Sequence, residues 1–360
     1  MKIIQLLPTF SFGDAIGNDT IALSGAIKDM GYDTAIYAEN IDKRLPNGIA
    51  KKVDKLKDLR SDDILIYHKS TGTDLTFKID QFKCRRIMVY HNITPPEFFR
   101  PYSISATKLT EYGYKGVEYL RDKIDYVLAV SAYNKAELLK MGYTCPIDIR
   151  PILIKFDDYK QAPDEAVMQK YSDGRTNLVF VGRIAPNKKQ ENLIRALYCY
   201  KKYDPEARLI LVGSYTGMEN YYERLQKYAA ALGLSDSVVF TGHIRFPEIL
   251  AYYRTATAFV CMSEHEGFCV PLAEAMFFDV PIIAYDAAAI SDTLGGCGVL
   301  LDDNSPEFAA AVIDRVVHDK ALREYIIEGQ RKRLEDFAYE RIRSIFEKEI
   351  KQFINKNKQK

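Results

Sequence analysis

Residues 257–286, TAFVCMSEHEGFCVPLAEAMFFDVPIIAYD, contain one complete strand–loop–helix–strand unit. The apolar run TAFVCMS predicts a strand, PLAEAMFFD has helical spacing with a proline in its first turn, and VPIIAYD predicts a second strand. Because two strands joined through a helix pair in parallel, the stretch predicts an α/β protein. Three carboxylates, Glu264, Glu266 and Glu274, stand in this apolar unit, and a buried carboxylate needs a partner.

The same alternation extends towards the N-terminus from this unit. NLVFVGRI, ARLILVGSY and SVVFTGHI predict strands, and a segment with helical spacing follows each of them. On the other side, VPIIAYD is predicted to be the last strand, and the helical segment PEFAAAVIDRVVHDKALREYIIEGQRKRL comes after it. Strict β-α alternation of this kind predicts a doubly wound parallel sheet in the second half of the chain.

The first half of the chain repeats the pattern. KIIQLLPT predicts a strand, FSFGDAIGND a glycine-rich loop, TIALSGAIKDMG a helix and YDTAIYAE the next strand. Further strands are predicted at DDILIYHKS, RRIMVYHNI and IDYVLAV, the last followed by a helix with Ser131 as its N-cap. A polar segment near 155–175 interrupts the pattern and is predicted to be a linker. We therefore expect two Rossmann-like domains, 1–165 and 166–337, that face a central cleft; an eight-stranded barrel is the less favoured alternative.

Composition excludes several other classes of protein. The chain has 360 residues, 47% of them apolar and 28% charged, and a net charge of +1, which argues against nucleic acid as its main partner. The six cysteines form no C-x-x-C pair, so we expect reduced thiols and neither disulfides nor a zinc site. No apolar run reaches about 18 residues, and MKIIQLLPTF is too short for a signal peptide, so we expect a cytoplasmic protein.

Basic residues follow the predicted strand NLVFV. In VFVGRIAPNKK, Gly182 permits close approach to the backbone, Arg183 leaves the strand end, and Lys188 and Lys189 open the next helix. Cations at a helix N-terminus add to the positive end of its dipole and together favour an anion such as phosphate. A solvated basic turn explains this charge placement equally well.

The loop EHEGFCV also precedes a helix. The backbone N–H groups of Phe268, Cys269 and Val270 fall at the helix entrance, where they have no intrahelical partner and can bind a diphosphate. Glu274 lies about one turn inside this apolar helix, so its carboxylate needs a partner such as a pair of ribose hydroxyls. Stabilisation of the helix start is sufficient to explain Glu264 or Glu266 taken alone.

Two histidines stand at predicted strand ends. In FTGHI, a flat nucleobase can lie against the backbone at Gly242 and His243, although a lone histidine is more often an ordinary polar residue. His91 follows RRIMVY and either caps a turn or acts in the site, and the proline turn with aromatic residues in NITPPEFF favours the second interpretation.

In combination, these residues resemble the retaining GT-B glycosyltransferases of family 4. Their hallmark is E-x7-E, which EGFCVPLAE supplies as Glu266 and Glu274. The segments VGRIAPNKK, FTGHI and PIIAYDAAAISDTLGGCGVLL follow in the family's order and spacing. The resemblance is strong in the second half of the chain and moderate in the first, where GYDTAIYAE and YHNITPPEFF carry it. It implies that the last helix, about 338–360, completes the first domain.

The resemblance also implies a role for each matching residue. Arg183 and Lys188 (or Lys189) would bind the donor diphosphate, Glu274 the ribose, and Glu266 and His91 the transferred sugar. The first loop would approach the phosphate through Gly13, Asp14 or Gly17, because GDAIGND lacks the family's two adjacent glycines. The proposed catalytic residues are His91, Glu266, Arg183 and Lys188, and the donor-binding residues are Gly13, Asp14, Gly182, Lys189, Gly242, His243, Gly267, Phe268, Cys269, Val270 and Glu274.

The implied reaction is transfer of a sugar from a nucleotide-sugar to an acceptor hydroxyl with retained configuration and without a metal or other cofactor. The acceptor would be a carbohydrate or a lipid-linked glycan in bacterial surface polysaccharide assembly. Contact with the inner face of the membrane is a further hypothesis, because KCRR (83–86) and the C-terminal tail are basic. The alternatives are a GT-B sugar-nucleotide epimerase, a dinucleotide oxidoreductase, which the poor match of GDAIGND to G-x-G-x-x-G disfavours, and a catalytically inactive sugar-binding module.

Overall fold

The structure is a computed structural model that describes residues 1–57 and 59–356, so the last four residues of the predicted helix 338–360 lie outside the described residues. The strands are β1 (Lys2–Phe10), β2 (Asp33–Ile41), β3 (Lys51–Lys52), β4 (Ile64–Lys69), β5 (Arg85–Tyr90), β6 (Tyr126–Ala129), β7 (Ile147–Ile149), β8 (Asn177–Val181), β9 (Arg208–Val212), β10 (Val238–Gly242), β11 (Ala258–Cys261), β12 (Ile282–Tyr285) and β13 (Val299–Leu301). The helices are α1 (Ala15–Asp29), α2 (Ile104–Leu120), α3 (Ala132–Lys140), α4 (Glu165–Tyr171), α5 (Gln190–Tyr200), α6 (Glu219–Ala231), α7 (Phe246–Thr255), α8 (Val270–Phe277), α9 (Ile290–Leu294), α10 (Pro306–His318), α11 (Lys320–Leu334) and α12 (Tyr339–Asn355). None of the helices within this described part of the chain is long and apolar enough to cross a membrane.

Packing divides the chain into two compact units. The first unit comprises Met1–Pro96, Thr107–Lys155 and Asp336–Lys360, and the second comprises Glu97–Ala106 and Phe156–Glu335. The change between units after residue 155 comes earlier than the boundary predicted after residue 165. The short insert 97–106 packs with the second unit although the segments on either side of it belong to the first.

The first unit is built on a parallel sheet with the strand order β3-β2-β1-β4-β5-β6-β7. Strand β1 is buried along most of its length, as expected for a parallel sheet covered by helices on both faces. Its side chains pack with those of β4 and β5 in a core that includes Leu6, Tyr67 and Met88. Helix α12 packs against α1, and the ring of its Phe353 stacks on Tyr126.

The second unit contains a parallel sheet with the order β10-β9-β8-β11-β12-β13. The prediction that VPIIAYD is the last strand is wrong, because β13 pairs with β12 and forms the edge of the sheet. This edge strand has only three residues, too few for a hydrophobic period to be recognised in the sequence. The predicted N-cap in the first unit is confirmed, since the Ser131 side chain accepts a hydrogen bond from the Asn134 backbone N–H.

The polar segment 155–175, predicted to be a linker, contains regular structure that packs into the second unit. It forms a 3-10 turn, Phe156–Lys160, and the short helix α4, which packs against α7. Tyr159 in the turn and Tyr171 at the end of α4 are buried. Two large buried side chains therefore anchor this segment, although most of its residues are polar or charged.

In both sheets the strand order reverses between two neighbouring strands. The reversal lies between β1 and β4 in the first unit and between β8 and β11 in the second. At such a point the loops that leave the carboxyl ends of the two strands turn to opposite sides and leave a crevice, where open α/β sheets bind ligands. Polar side chains gather at both positions.

Candidate functional site

Two loops leave the neighbouring strands β8 and β11 of the second unit. The loop after β8 contains residues 182–189, and the loop after β11 contains residues 262–269. The Glu264 backbone N–H donates to the Asn187 carbonyl at 2.9 Å, and the Asn187 side-chain amide donates to the His265 carbonyl at 2.9 Å. These bonds fix the two loops to each other and bring their charged side chains into one site.

Two lysine–glutamate pairs join the same loops. Lys188 Nζ lies 2.5 Å from Glu266 Oε2, and Lys189 Nζ lies 3.1 Å from Glu264 Oε2. The pairs differ in exposure, since the Glu266 side chain is 7% exposed and the Glu264 side chain 30%. Burial alone would lower the pKa of Lys188, but the Glu266 carboxylate raises it above its ordinary value. Lys188 therefore stays charged in the more buried pair, and Lys189 occupies the more exposed pair.

The entrance of helix α8 follows directly after Glu266 and Gly267. Cys269 is the N-cap and has a left-handed backbone, with φ of 69°, an uncommon conformation for a residue other than glycine. The Thr293 hydroxyl donates to the Phe268 carbonyl, which fixes the loop from a second direction. Val270 begins the helix. The N-terminal N–H groups of α8 thus follow Glu266 closely in the chain. These groups, the helix dipole and the charged Lys188 together favour the binding of an anion.

The other predicted donor-binding residues lie at the ends of β8 and β10. Arg183 is exposed and forms no ion pair among the described residues. A Cβ atom at Gly213 would lie 2.1 Å from the Gly182 carbonyl oxygen, so the backbones that follow β8 and β9 are in direct contact at these two glycines. Gly242 has a left-handed φ of 68° and bridges Gly213, and His243 after it is exposed.

Glu274 has protein partners for both of its carboxylate oxygens. The Tyr159 hydroxyl donates to Oε1 at 2.5 Å, and the Tyr253 hydroxyl donates to Oε2 at 2.6 Å. Burial raises the pKa of Glu274, although the two phenols act in the opposite direction. A carboxylate has about four lone-pair positions, so two remain for a ligand after both phenols are bound. The sequence predicted the need for a partner but assigned it only to a ligand.

The predicted residues of the first unit occupy two strand ends. Gly13 has a left-handed φ of 71° and open space around the position of a Cβ, and Asp14 is the N-cap of α1. A Cβ at Gly17 would lie 2.8 Å from the Ser11 carbonyl oxygen, so packing of α1 against the loop that precedes it already requires that glycine. His91 follows β5.

His91 is the end of a row of buried polar side chains. Its Nε2 lies 3.0 Å from His68 Nδ1, and His68 Nε2 lies 3.0 Å from Gln5 Oε1. Gln5 Nε2 donates to the Thr20 carbonyl at 2.9 Å. His91 Nδ1 is buried and has no hydrogen-bond partner among the described residues. Burial lowers the pKa of His91 to about 4, so its imidazole is neutral near pH 7.

A buried ion pair lies beside this row. Arg150 and Asp19 are both fully buried, and the guanidinium donates to Asp19 Oδ1 at 2.8 Å and Oδ2 at 2.7 Å. The Leu153 backbone N–H adds a bond to Oδ1 at 2.9 Å. Although burial opposes it, the guanidinium lowers the pKa of Asp19, so the carboxylate remains ionised. Its charge is thus compensated within the first unit.

Two groups of side chains have the donor atoms for a metal ion. Asp19, His68 and His91 form one, and Cys261, Glu266 and Cys269 form the other, with the potential ligand atoms of each group within 4.8 Å of one another. In the first group, Arg150 binds both Asp19 oxygens, and both His68 nitrogens already have partners. In the second group, Lys188 occupies Glu266 Oε2. In each group, some of the potential ligand atoms are therefore already bound by other protein groups.

Sequence reasoning missed several of these residues. Gln5 and His68 stand within apolar strands, and a polar residue on a fully buried strand is the signal that could have identified them. Tyr159 lay in the segment interpreted as a linker. The Asp19–Arg150 contact joins residues that are far apart in the chain, and no local pattern reports such a pair.

Comparison with known proteins supports the predicted resemblance at the level of a broad family. Residues 165–333 match the family model described as "Glycosyl transferases group 1". D-inositol 3-phosphate glycosyltransferase of Thermomonospora curvata is 33% identical over 159 residues, which are 42% of this chain and 37% of that protein. GDP-mannose-dependent alpha-mannosyltransferase of Mycolicibacterium smegmatis is 34% identical over 174 residues, which are 47% of this chain and 42% of that protein. The chain thus spans less than half the length of these curated relatives.

Solved structures extend the likeness to the whole chain. Sucrose-phosphate synthase from Thermosynechococcus elongatus has a TM-score of 0.76 and 17% identity, with coverage of 99% of this chain and 100% of that chain. HepE of Anabaena, solved in complex with UDP-glucose, has a TM-score of 0.76 and 18% identity, with coverage of 98% and 100%. The predicted GT-B class, with two Rossmann-like parallel sheets, is confirmed.

Proposed function

We propose that this protein is a retaining glycosyltransferase that moves a sugar from a nucleoside-diphosphate sugar to a hydroxyl of a carbohydrate or lipid-linked acceptor. One observation carries the proposal. The Lys188–Glu266 pair lies at the reversal point of the second sheet, next in the chain to the entrance of α8 and inside the segment that matches the group 1 glycosyltransferases. A cation and a helix N-terminus suit a diphosphate, and a carboxylate suits the hydroxyl groups of the sugar joined to it.

The diphosphate is assigned to the positive groups of the second unit. Arg183 is exposed and Lys188 is charged, and the backbone N–H groups around Phe268, Cys269 and Val270 belong to a helix N-terminus. Negative charge develops on the departing diphosphate during transfer, and cations held in place before the reaction stabilise it. This unit, 166–337 in the predicted division, is proposed to bind the donor, and the first unit to bind the acceptor.

Glu266 is assigned to the transferred sugar. Because the Lys188 ammonium lies 2.5 Å from Oε2, the carboxylate is partly neutralised and is a weaker nucleophile than an unpaired one. That property supports transfer on a single face of the sugar without an enzyme-bound intermediate, which gives retention of configuration. The oxygen Oε1 of Glu266 is then available to hydroxyl groups of the sugar.

The nucleoside is assigned to Glu274 and to the strand end at Gly242 and His243. Tyr159 and Tyr253 hold the Glu274 carboxylate and leave acceptor positions for two ribose hydroxyls. The left-handed backbone at Gly242 presents main-chain groups to a flat base. Gly13 and Asp14 are assigned to the phosphate, and His91 to the sugar.

The acceptor and the setting of the reaction are proposed by analogy. Relatives of this chain include an O-antigen chain mannosyltransferase of Escherichia coli, 23% identical over 268 residues, 71% of this chain and 67% of that protein. We propose a role in bacterial surface polysaccharide or glycan assembly, in the cytoplasm or at the inner face of the membrane. The proposed reaction uses no metal, so added EDTA should leave the rate unchanged.

A donor panel tests the function. Purified protein is incubated with UDP- and GDP-sugars, with and without polyprenyl-linked or oligosaccharide acceptors, and products are identified by mass spectrometry and by NMR of the anomeric proton. We expect transfer with retained configuration in one arm of the panel. Conversion of the donor to an epimeric sugar-nucleotide without any acceptor identifies an epimerase, and an inverted product contradicts the retaining mechanism.

Two variants then test the site. Lys188→Ala is expected to reduce turnover about 10²- to 10³-fold, the usual cost of one preorganised group that stabilises the transition state. Lys189→Ala, its neighbour in the more exposed pair, is the matched comparison and should change turnover much less. Equal losses in the two variants contradict the assignment of Lys188.

A further inference from the structure

The row of polar side chains in the first unit has a direction that the heavy atoms determine. It runs from the Thr20 carbonyl through Gln5 and His68 to His91, with each step between 2.9 and 3.0 Å. Hydrogen atoms decide what such a row can do, since each neutral imidazole has one nitrogen that donates and one that accepts. The first member of the row fixes all the others.

Gln5 can be oriented in only one way. The Thr20 carbonyl oxygen accepts hydrogen bonds and cannot donate them, so the atom of Gln5 that faces it at 2.9 Å is the amide nitrogen. The other amide atom, the carbonyl oxygen Oε1, therefore faces His68 Nε2 at 3.0 Å. Because Oε1 only accepts, His68 must carry its proton on Nε2.

The orientation passes from one histidine to the next. His68, with its proton on Nε2 and neutral because burial lowers its pKa, presents a lone pair at Nδ1. His91 Nε2 lies 3.0 Å from that lone pair and must donate to it. The ring centroids are 5.3 Å apart and the planes differ by 16°, so the rings lie nearly end to end and the bond runs close to both ring planes.

The last atom of the row is His91 Nδ1. With the proton on Nε2, this nitrogen presents a lone pair, and it is buried without a partner among the described residues. A buried acceptor without a donor destabilises the protein, because it has lost its bond to water. The position is thus prepared for a hydrogen-bond donor from outside the row.

Burial keeps the imidazoles neutral, and the charges around the row do not reverse that effect. Asp19 on α1 and Arg150 after β7 face the histidines, and their bidentate pairing cancels most of the field that either would exert. An unpaired Asp19 would instead draw a proton onto His91. The buried ion pair and the oriented row are therefore parts of one arrangement.

We propose that Gln5 and His68 are positioning residues that hold His91 in the Nε2–H tautomer, so that Nδ1 accepts a hydrogen bond from a hydroxyl of the bound sugar. The proposal rests on the proposed glycosyltransferase function for its ligand. It specifies the chemistry of that ligand, since a lone pair accepts from a hydroxyl but repels the oxygens of a phosphate. His91 is accordingly a contact for the neutral sugar and takes no part in binding the diphosphate.

The tautomer is tested without any substrate. The full-length protein is labelled with ¹⁵N-histidine, and long-range ¹H–¹⁵N correlation spectra are recorded at pH 7, with His91→Asn used to assign the signals of His91. We expect a protonated Nε2 and an unprotonated Nδ1 for both His68 and His91. A His91 spectrum with its proton on Nδ1, or with both nitrogens protonated, overturns the proposal whatever the enzyme activity proves to be.

The positioning role is tested by a matched pair of variants. His68→Asn keeps an acceptor, because the Asn Oδ1 can stand where His68 Nδ1 stands, whereas His68→Leu removes it. In His68→Leu we expect a mixture of His91 tautomers and a KM for the nucleotide-sugar raised about 3- to 10-fold, the effect of one hydrogen bond, with the acceptor KM unchanged. His68→Asn should largely restore the single His91 tautomer and the lower KM for the nucleotide-sugar.

A second route covers the case in which His68→Leu does not fold. Gln5→Met removes the acceptor for His68 Nε2–H and should also produce mixed tautomers at His91, with melting temperature and circular dichroism as the checks on folding. Unchanged His91 tautomers in both folded variants contradict the positioning role. The expected tautomers in a protein that transfers no sugar would instead contradict the proposed function and leave the row intact.

Discussion

Both units have polar residues at the reversal of strand order in their sheets. The polar residues of the first unit are buried and mostly neutral, whereas those of the second unit are charged and partly exposed. At the reversal between β1 and β4, the first unit holds two neutral histidines beside an ion pair that is 0% exposed on both sides. At the reversal between β8 and β11, the second unit holds Lys188 and Glu266, which are 20% and 7% exposed. The first site is a buried network of directed hydrogen bonds, and the second is a partly open pair of charges.

The difference indicates which ligand group each site can bind. A lone pair on a neutral imidazole distinguishes donors from acceptors, and this direction is useful for hydroxyl groups. A lysine with a raised pKa beside a helix N-terminus stabilises negative charge over a wider range of geometries. The same fold thus supports two kinds of recognition, depending on which residues follow the carboxyl ends of its strands.

The largest expected effect comes from the buried ion pair of the first unit. Arg150→Met leaves the fully buried Asp19 carboxylate without its bidentate partner, and breaking a buried pair in this way costs about 3–5 kcal/mol. Urea denaturation at pH 7 measures the loss. Arg121→Met removes a pair whose side chains are 40% and 70% exposed and should cost less than about 1 kcal/mol. Similar losses in the two variants would mean that Arg150 has little electrostatic role.

The next effect is the response to acid, which should come mainly from the first unit. Burial lowers the pKa of His91 to about 4 from an ordinary value of 6.5, so between these values the unfolded chain binds the proton and the folded chain does not. This contribution to stability is complete above pH 6.5 and is lost as the pH falls towards 4. For His91 alone the loss is on the order of 3 kcal/mol.

Melting temperatures between pH 7 and pH 4 check that response. The double variant His68→Asn/His91→Asn removes both imidazoles of the row, and its stability should fall less steeply with acid than that of the original protein. His318→Asn, which replaces a histidine that is 60% exposed, is the matched control. Equal slopes in all three proteins would assign the acid response to other groups.

The contrast between the units also separates what the sequence predicts from what it does not. The alternation of apolar runs and helical segments predicts both sheets, because most of their strands and helices are long enough to display their period. The residues of the second site are close together in the chain or follow neighbouring strands, as Lys188 and Glu266 do, so the order of strands is sufficient to predict that they meet. Whether they bind a donor stays a prediction.

The first site was predicted only in part, for a physical reason. His91 was identified at its strand end, but its partners Gln5 and His68 lie inside buried strands, and periodicity does not report which faces pair. The β13 edge was missed because three residues define no period. The partner of Glu274 was assigned to a ligand because Tyr159 lies 115 residues away in a segment whose charges suggest a linker.

The phenols that hold Glu274 give the next prediction. Tyr253→Phe removes one of the two hydrogen bonds to a carboxylate in an environment that already raises its pKa, and such a bond contributes about 1.5–3 kcal/mol. Urea denaturation should show that loss, and Tyr159→Phe should show a similar one. If Glu274 binds ribose, both variants should also weaken binding of nucleoside diphosphates in calorimetry. Normal stability in both variants contradicts the view that the phenols compensate the buried charge.

The smallest effect separates the two lysine pairs of the second unit. Lys189→Ala removes a contact to Glu264 in which both side chains are 25–30% exposed, and water and salt screen such a pair, so the expected cost is at most about 1 kcal/mol. Lys188→Ala leaves Glu266, 7% exposed, without its cation and should cost more. Denaturation at low and high salt measures both. The stability loss in Lys189→Ala should decrease with salt more than the loss in Lys188→Ala, because ions screen exposed charges better than buried ones. If the two losses respond alike to salt, the two ion pairs are equally solvated, and burial does not distinguish the lysine that is assigned to the diphosphate.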